Sequence, residues 1–285
     1  MKKRIQSVFN GKQRFSVPGA LAIAAALILA LAFVQPVAAK GSGEKAGTTV
    51  LKVGANPIPH AELLNLIKDD LAAEGIKLEV VEFTDYIVPN TALISGELDA
   101  NYFQHVPYLE SNDDWKAKLS FLYGIHVEPF GLYSQKYKSV ADLPPGATIA
   151  IPNDPANTGR ALLLFQANGL IKVKPETGLR PTDLDIIDNP RGFKFRSLEA
   201  AQLPRSLADV DGATINGNYA LEAGLNPVRD SIILEGAESP YVNGVVVRKG
   251  DENDPRVAAL KKVLQSQKVR DYIASHYDGG VVATF

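Results

Sequence analysis

The stretch from Ile149 to Gly169 (IAIPNDPANTGRALLLFQANG) contains residues well suited to bind a small anion. Its apolar start, its Pro, Asn and Asp breakers and its final glycine predict a strand, a tight turn and a helix. Asn157 or Thr158 is expected to cap this helix, and the free N–H groups of its first turn attract an anion. Arg160 is predicted in the same turn, where the helix dipole disfavours a cation by up to about 1 kcal/mol. Arg160 therefore needs a negative partner. That partner is either a ligand carboxylate, held through two parallel hydrogen bonds with help from Asn157, or a nearby acidic side chain at the surface.

Aromatic and polar side chains follow other predicted strands. Tyr86 comes after the strand that ends at Phe83, and His105 comes after the strand from Leu98 to Tyr102. Both side chains are expected at the polar edge of an aromatic slot, whereas Phe83 is assigned to the core. Asn216 ends a further strand, where its amide can bind the amine and carboxylate of a zwitterion, or bond only to its own backbone as a turn residue.

His126 and Glu128 share one face of a predicted strand, which invites comparison with metal ligands. The chain has only four histidines and no cysteine, and it lacks an H-E-x-x-H motif, so no metal site is assigned. Glu128 is instead a candidate partner for a ligand ammonium. No nucleophile motif, Walker motif or G-x-G-x-x-G motif is present, so neither catalysis nor a cofactor is predicted.

Residues 1–39 are predicted to be a secretory signal peptide that is cleaved after Ala39. Five basic residues precede or flank the apolar run from Ala20 to Val34, and Val37-Ala38-Ala39 supplies small residues for cleavage. The alternative is an uncleaved anchor, but about 15 apolar residues are short for a span of about 20. Because cysteine is absent, neither a disulfide framework nor a lipid-modified cysteine is expected. The predicted location is periplasmic or secreted, without a lipid anchor.

The rest of the chain has the composition of a globular protein. Without residues 1–39 it retains 25 basic and 32 acidic side chains, a net charge of about −7 that argues against binding nucleic acid or an anionic membrane. Residues 40–48 are predicted to be a flexible tether, because they are rich in Gly, Ser and Lys. The alternation of strands and helices predicts an α/β protein of two lobes, each a mostly parallel sheet flanked by helices, with a ligand in the cleft between them. The first lobe comprises residues 49–133 and 244–285, including one long helix from Pro255 to His276, and the second comprises residues 134–243.

Several motifs together resemble those of the methionine-binding lipoprotein family, the substrate-binding subunits of methionine ABC importers. The motifs are PNDPANTGR, FTDYIVPN, SGELDANYFQHVPYL, EAAQLPRSL, TINGNYA and ESPYVN, and the resemblance extends from Leu51 to Phe285. It implies a two-lobed periplasmic binding protein that encloses methionine or a closely related amino acid between its lobes. It also implies an ABC permease and ATPase as partners. The protein is expected to act as a monomer.

The resemblance assigns roles to residues that match the family motifs. Arg160 and Asn157 would hold the ligand carboxylate, and Asn216 would bind the backbone polar groups of the ligand. The ligand side chain would be surrounded by three residues, Tyr86, Phe103 and His105, while Glu128 would lie near the ligand ammonium. Two alternatives belong to other classes: a periplasmic enzyme with His105 as base and Glu128 as acid, and a surface adhesin. The sequence does not distinguish L-methionine from D-methionine, a dipeptide or another apolar amino acid.

Overall fold

Two β-sheets with helices packed against them form the two lobes. The computed structural model describes residues 49–236 and 239–285, so the predicted signal peptide and tether lie outside the described residues. The strands in chain order are β1 (Thr49–Ala55), β2 (Ile76–Glu82), β3 (Ala100–His105), β4 (Leu119–Val127), β5 (Gly131–Tyr133), β6 (Thr148–Pro152), β7 (Lys172–Val173), β8 (Ile186–Asp188), β9 (Lys194–Leu198), β10 (Gly212–Ile215), β11 (Ile233–Leu234), β12 (Asn243–Arg248) and β13 (Val282–Ala283).

Most helices are short, and none within the described ranges is long and apolar enough to cross a bilayer. The α-helices are Glu62–Leu66, Lys68–Ala73, Val88–Ser95, Val106–Leu109, Asp113–Lys118, Pro155–Ala167, Leu203–Ser206, Gly217–Glu222, Pro227–Asp230, Pro255–Leu264 and Gln267–His276. Single turns of other helix types are Pro57–Ala61, Val140–Asp142, Pro175–Thr177, Asp183–Asp185 and Ala200–Gln202. The predicted long helix from Pro255 to His276 is wrong, because Ser266 caps a second helix that begins at Gln267.

The first lobe contains a six-stranded sheet in the order β13-β4-β12-β3-β1-β2. Strand β1 is parallel to β2 and β3, whereas β12 is antiparallel to β3 and β4. Alternate residues of β1, Leu51 and Val53, are fully buried in the core beneath the C-terminal helices. This alternation is what a strand with one face against the core requires.

The second lobe contains a five-stranded sheet in the order β11-β5-β10-β6-β9. Strand β6 is parallel to β10 and β9, while β5 is antiparallel to β10 and β11. The two-lobed α/β fold is therefore confirmed, but both sheets are mixed rather than mostly parallel. Strands β7 and β8 form a separate two-stranded sheet, and in the chain they fall between β6 and β9 of the second sheet.

The chain passes between the sheets twice, first between β4 and β5 and again between β11 and β12. The sequence-based boundary at residue 133 is wrong by one strand, because Gly131–Tyr133 pairs with β10 of the second sheet. The return to the first sheet starts at Asn243, the first residue of β12. The two crossings connect the lobes, and Glu128 lies on the first of them, between β4 and β5.

Candidate functional site

A small cavity lies between the two sheets. It brings together all seven predicted site residues, and four further residues complete its lining. Its volume is about 20 Å³. The predicted residues are Tyr86, Phe103, His105, Glu128, Asn157, Arg160 and Asn216, and the additional ones are Gln104, Tyr108, Asn218 and Asn243.

Aromatic rings from the first lobe form one wall of the cavity. The ring centroid of Tyr86 lies 6.0 Å from that of Phe103 and 5.7 Å from that of Tyr108. Tyr108 also donates a hydrogen bond of 2.9 Å from its hydroxyl to the backbone carbonyl of Tyr86, which holds the Tyr108 ring against that backbone. Such a wall suits an apolar ligand side chain, because rings offer large, rigid contact area.

His105 ends β3 and caps the helix that follows. Its Nδ1 accepts a hydrogen bond of 3.1 Å from the backbone N–H of Tyr108, and its ring meets Tyr241 edge-on at 5.0 Å. Burial, with the charge of Arg160 nearby, lowers the pKa of His105 to about 3. A neutral, weakly basic imidazole at neutral pH is a poor general base, so the enzyme alternative gains no support from this residue.

The helix of the central strand–turn–helix unit begins earlier than the sequence indicated. Asp154, rather than Asn157 or Thr158, is its N-cap and accepts a hydrogen bond of 2.9 Å from the backbone N–H of Asn157. Pro155 at the first helical position explains the choice, because its fixed φ angle favours that place. Arg160 consequently lies in the second turn, and the argument from the helix dipole does not apply to it.

Hydrogen bonds hold the side-chain amides of Asn157 and Asn216 in place in the second lobe. Asn157 donates from Nδ2 to both carboxylate oxygens of Asp154, at 3.1 and 3.0 Å. Its side-chain oxygen accepts a hydrogen bond of 2.9 Å from Nδ2 of Asn216. The oxygen of Asn216 is buried and has no hydrogen-bond partner within the described residues. Because an unsatisfied buried acceptor is costly, this oxygen is suited to receive a donor from a ligand.

Arg160 is buried, with 3% of its side chain exposed. Its guanidinium carbon lies 4.9 Å from the ring centroid of Phe130 and 4.3 Å from that of Tyr241. Nε and Nη2 donate to the carboxylate of Glu235 at 2.9 and 2.5 Å, and Nη2 also donates to the carbonyl of Glu128 at 3.0 Å. The negative partner that the sequence required is therefore present in the chain, but it is a largely buried residue rather than a surface one.

Glu128 is buried at the first crossing and is surrounded by hydrogen-bond donors. Its Oε1 lies 2.8 Å from Nε2 of His126 and 3.3 Å from Nε2 of His60, and its Oε2 accepts a bond of 2.6 Å from the backbone N–H of Asn218. Burial acts to raise the pKa of Glu128, but these partners outweigh it and hold the pKa below its usual value. Glu128 is thus an ionised carboxylate beside the cavity, where it can attract an ammonium.

The same cluster is the group of described residues that could hold a metal ion. The donor atoms of His60, His126 and Glu128 lie within 4.8 Å of one another. Hydrogen bonds already account for these positions, because the hydroxyl of Tyr102 lies 2.5 Å from Nδ1 of His126 while Nε2 of His126 faces Glu128. We therefore assign the two histidines to the positioning of Glu128.

Hydrogen bonds across the cleft join the two lobes. The hydroxyl of Tyr86 donates to Oδ1 of Asn218 at 2.5 Å, and that of Tyr219 donates to the carbonyl of Thr84 at 3.0 Å. The rings of Tyr86 and Tyr219 lie 4.9 Å apart. Burial raises the pKa of Tyr86 well above its usual value, which keeps its hydroxyl protonated as a donor. The two lobes are therefore in direct contact beside the cavity.

The sequence patterns assigned no role to Glu235 or to four of the lining residues, Gln104, Tyr108, Asn218 and Asn243. Asn243 lines the cavity and its Oδ1 lies 3.3 Å from His60, yet within the motif ESPYVN it received no role. Its place at the start of β12, where the chain re-enters the first sheet, was the available signal. Glu235 had no such signal, because it is separated from Arg160 by 75 residues and follows a strand of only two residues.

Comparisons with known proteins identify relatives of this chain in sequence and in structure. The family model described as NlpA lipoprotein matches residues 51–285. The chain is 40% identical over 264 residues to the methionine-binding lipoprotein MetQ of Bacillus subtilis, which covers 90% of this chain and 96% of that protein. It is 44% identical over 211 residues to the D-methionine-binding lipoprotein MetQ of Escherichia coli, covering 73% of this chain and 78% of that one. A solved structure of a nutrient binding protein from Burkholderia cenocepacia bound to methionine has 46% identity and a TM-score of 0.80, covering 82% of this chain and all of that chain (100%).

Proposed function

Because this chain belongs to the NlpA lipoprotein family, we propose that it is an extracytoplasmic substrate-binding protein that captures methionine or a close relative for an ABC importer. The observation that carries the proposal is that Arg160 and Glu128 both line one aromatic-walled cavity, each able to receive a group of opposite charge. A free amino acid has one carboxylate, one ammonium and one side chain, and the cavity has a group of matching chemistry for each.

Each group of the ligand has a partner in this proposal. The carboxylate is held by Arg160 beside Asn157, whose own amide is engaged by Asp154 and Asn216. The unpaired oxygen of Asn216 accepts from the ammonium, which Glu128 also attracts. The side chain lies against Tyr86 and the other rings of the first lobe. A charged side chain is rejected there because it would be desolvated among aromatic rings without a partner.

Capture requires the lobes to separate and close again. Because the cavity lies between the lobes and is lined by residues of both, a ligand enters it when the cleft between the lobes widens. The ligand then stabilises the closed arrangement by bridging residues of both lobes, which shifts the equilibrium between open and closed forms. Delivery to a permease and ATPase, action as a monomer, and export directed by residues 1–39 without a lipid anchor are parts of the same proposal.

Calorimetric titration tests the proposed ligand. The protein is unfolded, dialysed and refolded to remove any ligand acquired during expression, and it is then titrated with L-methionine, D-methionine, methioninamide, lysine and glutamate. Methionine should bind, methioninamide should bind far more weakly because it lacks the carboxylate, and lysine and glutamate should not bind. Equal affinity for methionine and methioninamide would remove the carboxylate anchor, and no binding of any amino acid would refute the function.

Localisation has its own experiment. Cells that express the full chain are fractionated, and the mature N-terminus is sequenced. Recovery of soluble protein that begins at Lys40 is expected, because Val37-Ala38-Ala39 resembles a cleavage site and the chain contains no cysteine for lipid attachment. Recovery in the membrane fraction with residues 1–39 intact would contradict cleavage.

A further inference from the structure

Glu235 occupies one edge of the Arg160 guanidinium, and it does so from outside the cavity. The pair is bidentate, with Nε at 2.9 Å and Nη2 at 2.5 Å from the two carboxylate oxygens. Arg160 lines the cavity, whereas Glu235 is not among its lining residues. A ligand therefore does not need to displace Glu235 in order to reach Arg160.

The remaining contacts of Arg160 determine which nitrogen of its guanidinium is left for a ligand. Phe130 and Tyr241 lie over the guanidinium carbon at 4.9 and 4.3 Å, and the carbonyl of Glu128 takes the second hydrogen of Nη2 at 3.0 Å. Within the described residues no hydrogen bond uses Nη1. The donors still available to a ligand are therefore those of Nη1, so the two parallel hydrogen bonds expected from the sequence are replaced by a contact through one nitrogen.

From this arrangement we infer that Glu235 is a positioning residue for carboxylate recognition: it orients Arg160 so that Nη1 faces the ligand. Glu235 is itself held, because the hydroxyl of Ser239 donates to its Oε2 at 3.2 Å and 15% of its side chain is exposed. The inference rests on the proposed function, since it concerns the recognition of an amino-acid carboxylate.

Two opposite effects of Glu235 can be separated by experiment. As a charge, it neutralises Arg160 and weakens the attraction of Arg160 for a second carboxylate. As a carboxylate with two acceptor oxygens, it binds Nε and Nη2 together and so holds the guanidinium in one orientation. A glutamine at this position could not do so, because its amide has one acceptor oxygen and its NH₂ group is a donor that repels Nη2–H. Removing the charge alone would strengthen carboxylate binding, whereas losing the orientation would weaken it.

The test compares the affinities of methionine and methioninamide in the refolded wild type, in Glu235→Gln and in Glu235→Asp. Glu235→Gln should lower the ratio of methionine to methioninamide affinity by about tenfold, because only methionine uses Arg160 through a carboxylate. Glu235→Asp keeps both oxygens on a shorter side chain and should lower the ratio about threefold. Glu74→Gln is the matched control, since it breaks an exposed ion pair with Lys262 and should leave the ratio unchanged.

The outcomes are distinct from failure of the proposed function. If the wild type binds no methionine, the proposed function fails before any variant is compared. If the wild type binds and the ratio rises in Glu235→Gln, Glu235 acts as a competing charge and the inference is overturned. An unchanged ratio in the folded variants overturns it as well, and Glu235→Asp alone decides the matter if Glu235→Gln does not fold.

Discussion

Replacing Arg160 by lysine is expected to damage ligand binding more than folding. The lysine keeps a positive charge opposite Glu235, so no buried carboxylate is left without a counter-charge. It loses the fork geometry, the bond to the carbonyl of Glu128 and the stacking between Phe130 and Tyr241. Arg160→Ala is a poorer test, because breaking a buried pair by removing one partner costs about 3 to 5 kcal/mol of stability.

The magnitude follows from the contact that the ligand loses. A hydrogen bond to a charged group contributes about 1.5 to 3 kcal/mol, and each 1.4 kcal/mol corresponds to about tenfold in affinity. The dissociation constant of methionine should therefore rise by about 10-fold to 150-fold in Arg160→Lys, as measured by calorimetry on refolded protein. Arg256→Lys is the control, because Arg256 also pairs with carboxylates, those of Asp254 and Asp99, but lies outside the cavity lining. A change of less than threefold in a folded Arg160→Lys protein would refute the carboxylate role.

Two further predictions concern lobe contact and pH. Tyr86→Phe removes the 2.5 Å bond to Asn218 and should raise the dissociation constant of methionine about twofold to twelvefold, since a net hydrogen bond contributes about 0.5 to 1.5 kcal/mol. Unchanged affinity in calorimetry would contradict this prediction. Burial lowers the pKa of His60 from 6.5 to about 4, opposed by Glu128 and reinforced by His126. At a pH between these two pKa values, His60 is protonated in the unfolded chain and neutral in the folded one. His60 therefore lowers the free energy of unfolding by about 2 kcal/mol at pH 5 relative to pH 8. Urea unfolding of His60→Gln should show a correspondingly smaller fall over this range, and equal falls in both proteins would disprove the assignment.

The parts of the site that the sequence predicted are those set by local signals. The strand, turn and helix around Arg160 follow from breakers and helix formers within about 20 residues. Even there, the choice of cap depended on Pro155, which favours Asp154 over Asn157 because the residue before the first helical position must be the cap. Because Asp154 is the cap, Arg160 lies one turn further into the helix than predicted. The helix dipole therefore does not disfavour its charge, and that argument for a negative partner fails.

The parts that were missed depend on contacts between distant residues. Strand β5 was assigned to the first lobe because it follows β4 closely, but its partner β10 lies about 80 residues later in the chain, where Leu132 pairs with Thr214. The mixed sheets have the same origin, since β12 returns antiparallel between β3 and β4. Strand pattern alone specifies which residues are buried, and it does not specify which neighbour a strand takes or in which direction.

Residues that touch no ligand should nevertheless set the affinity of this site. The lobes are joined beyond the cavity by the bond from Tyr219 to the carbonyl of Thr84 at 3.0 Å and by the bond from Arg180 to the carbonyl of Glu110 at 2.8 Å. At about 0.5 to 1.5 kcal/mol each, such bonds favour the closed arrangement by an amount comparable with one ligand hydrogen bond. In the proposed mechanism the closed arrangement holds the ligand, and the observed dissociation constant is the intrinsic one divided by the fraction of closed molecules, so bonds that favour closure raise the affinity. Specificity then depends on the cavity, where Arg160 and the aromatic wall contact the ligand. Overall affinity depends also on the hydrogen bonds that join the two lobes outside the cavity.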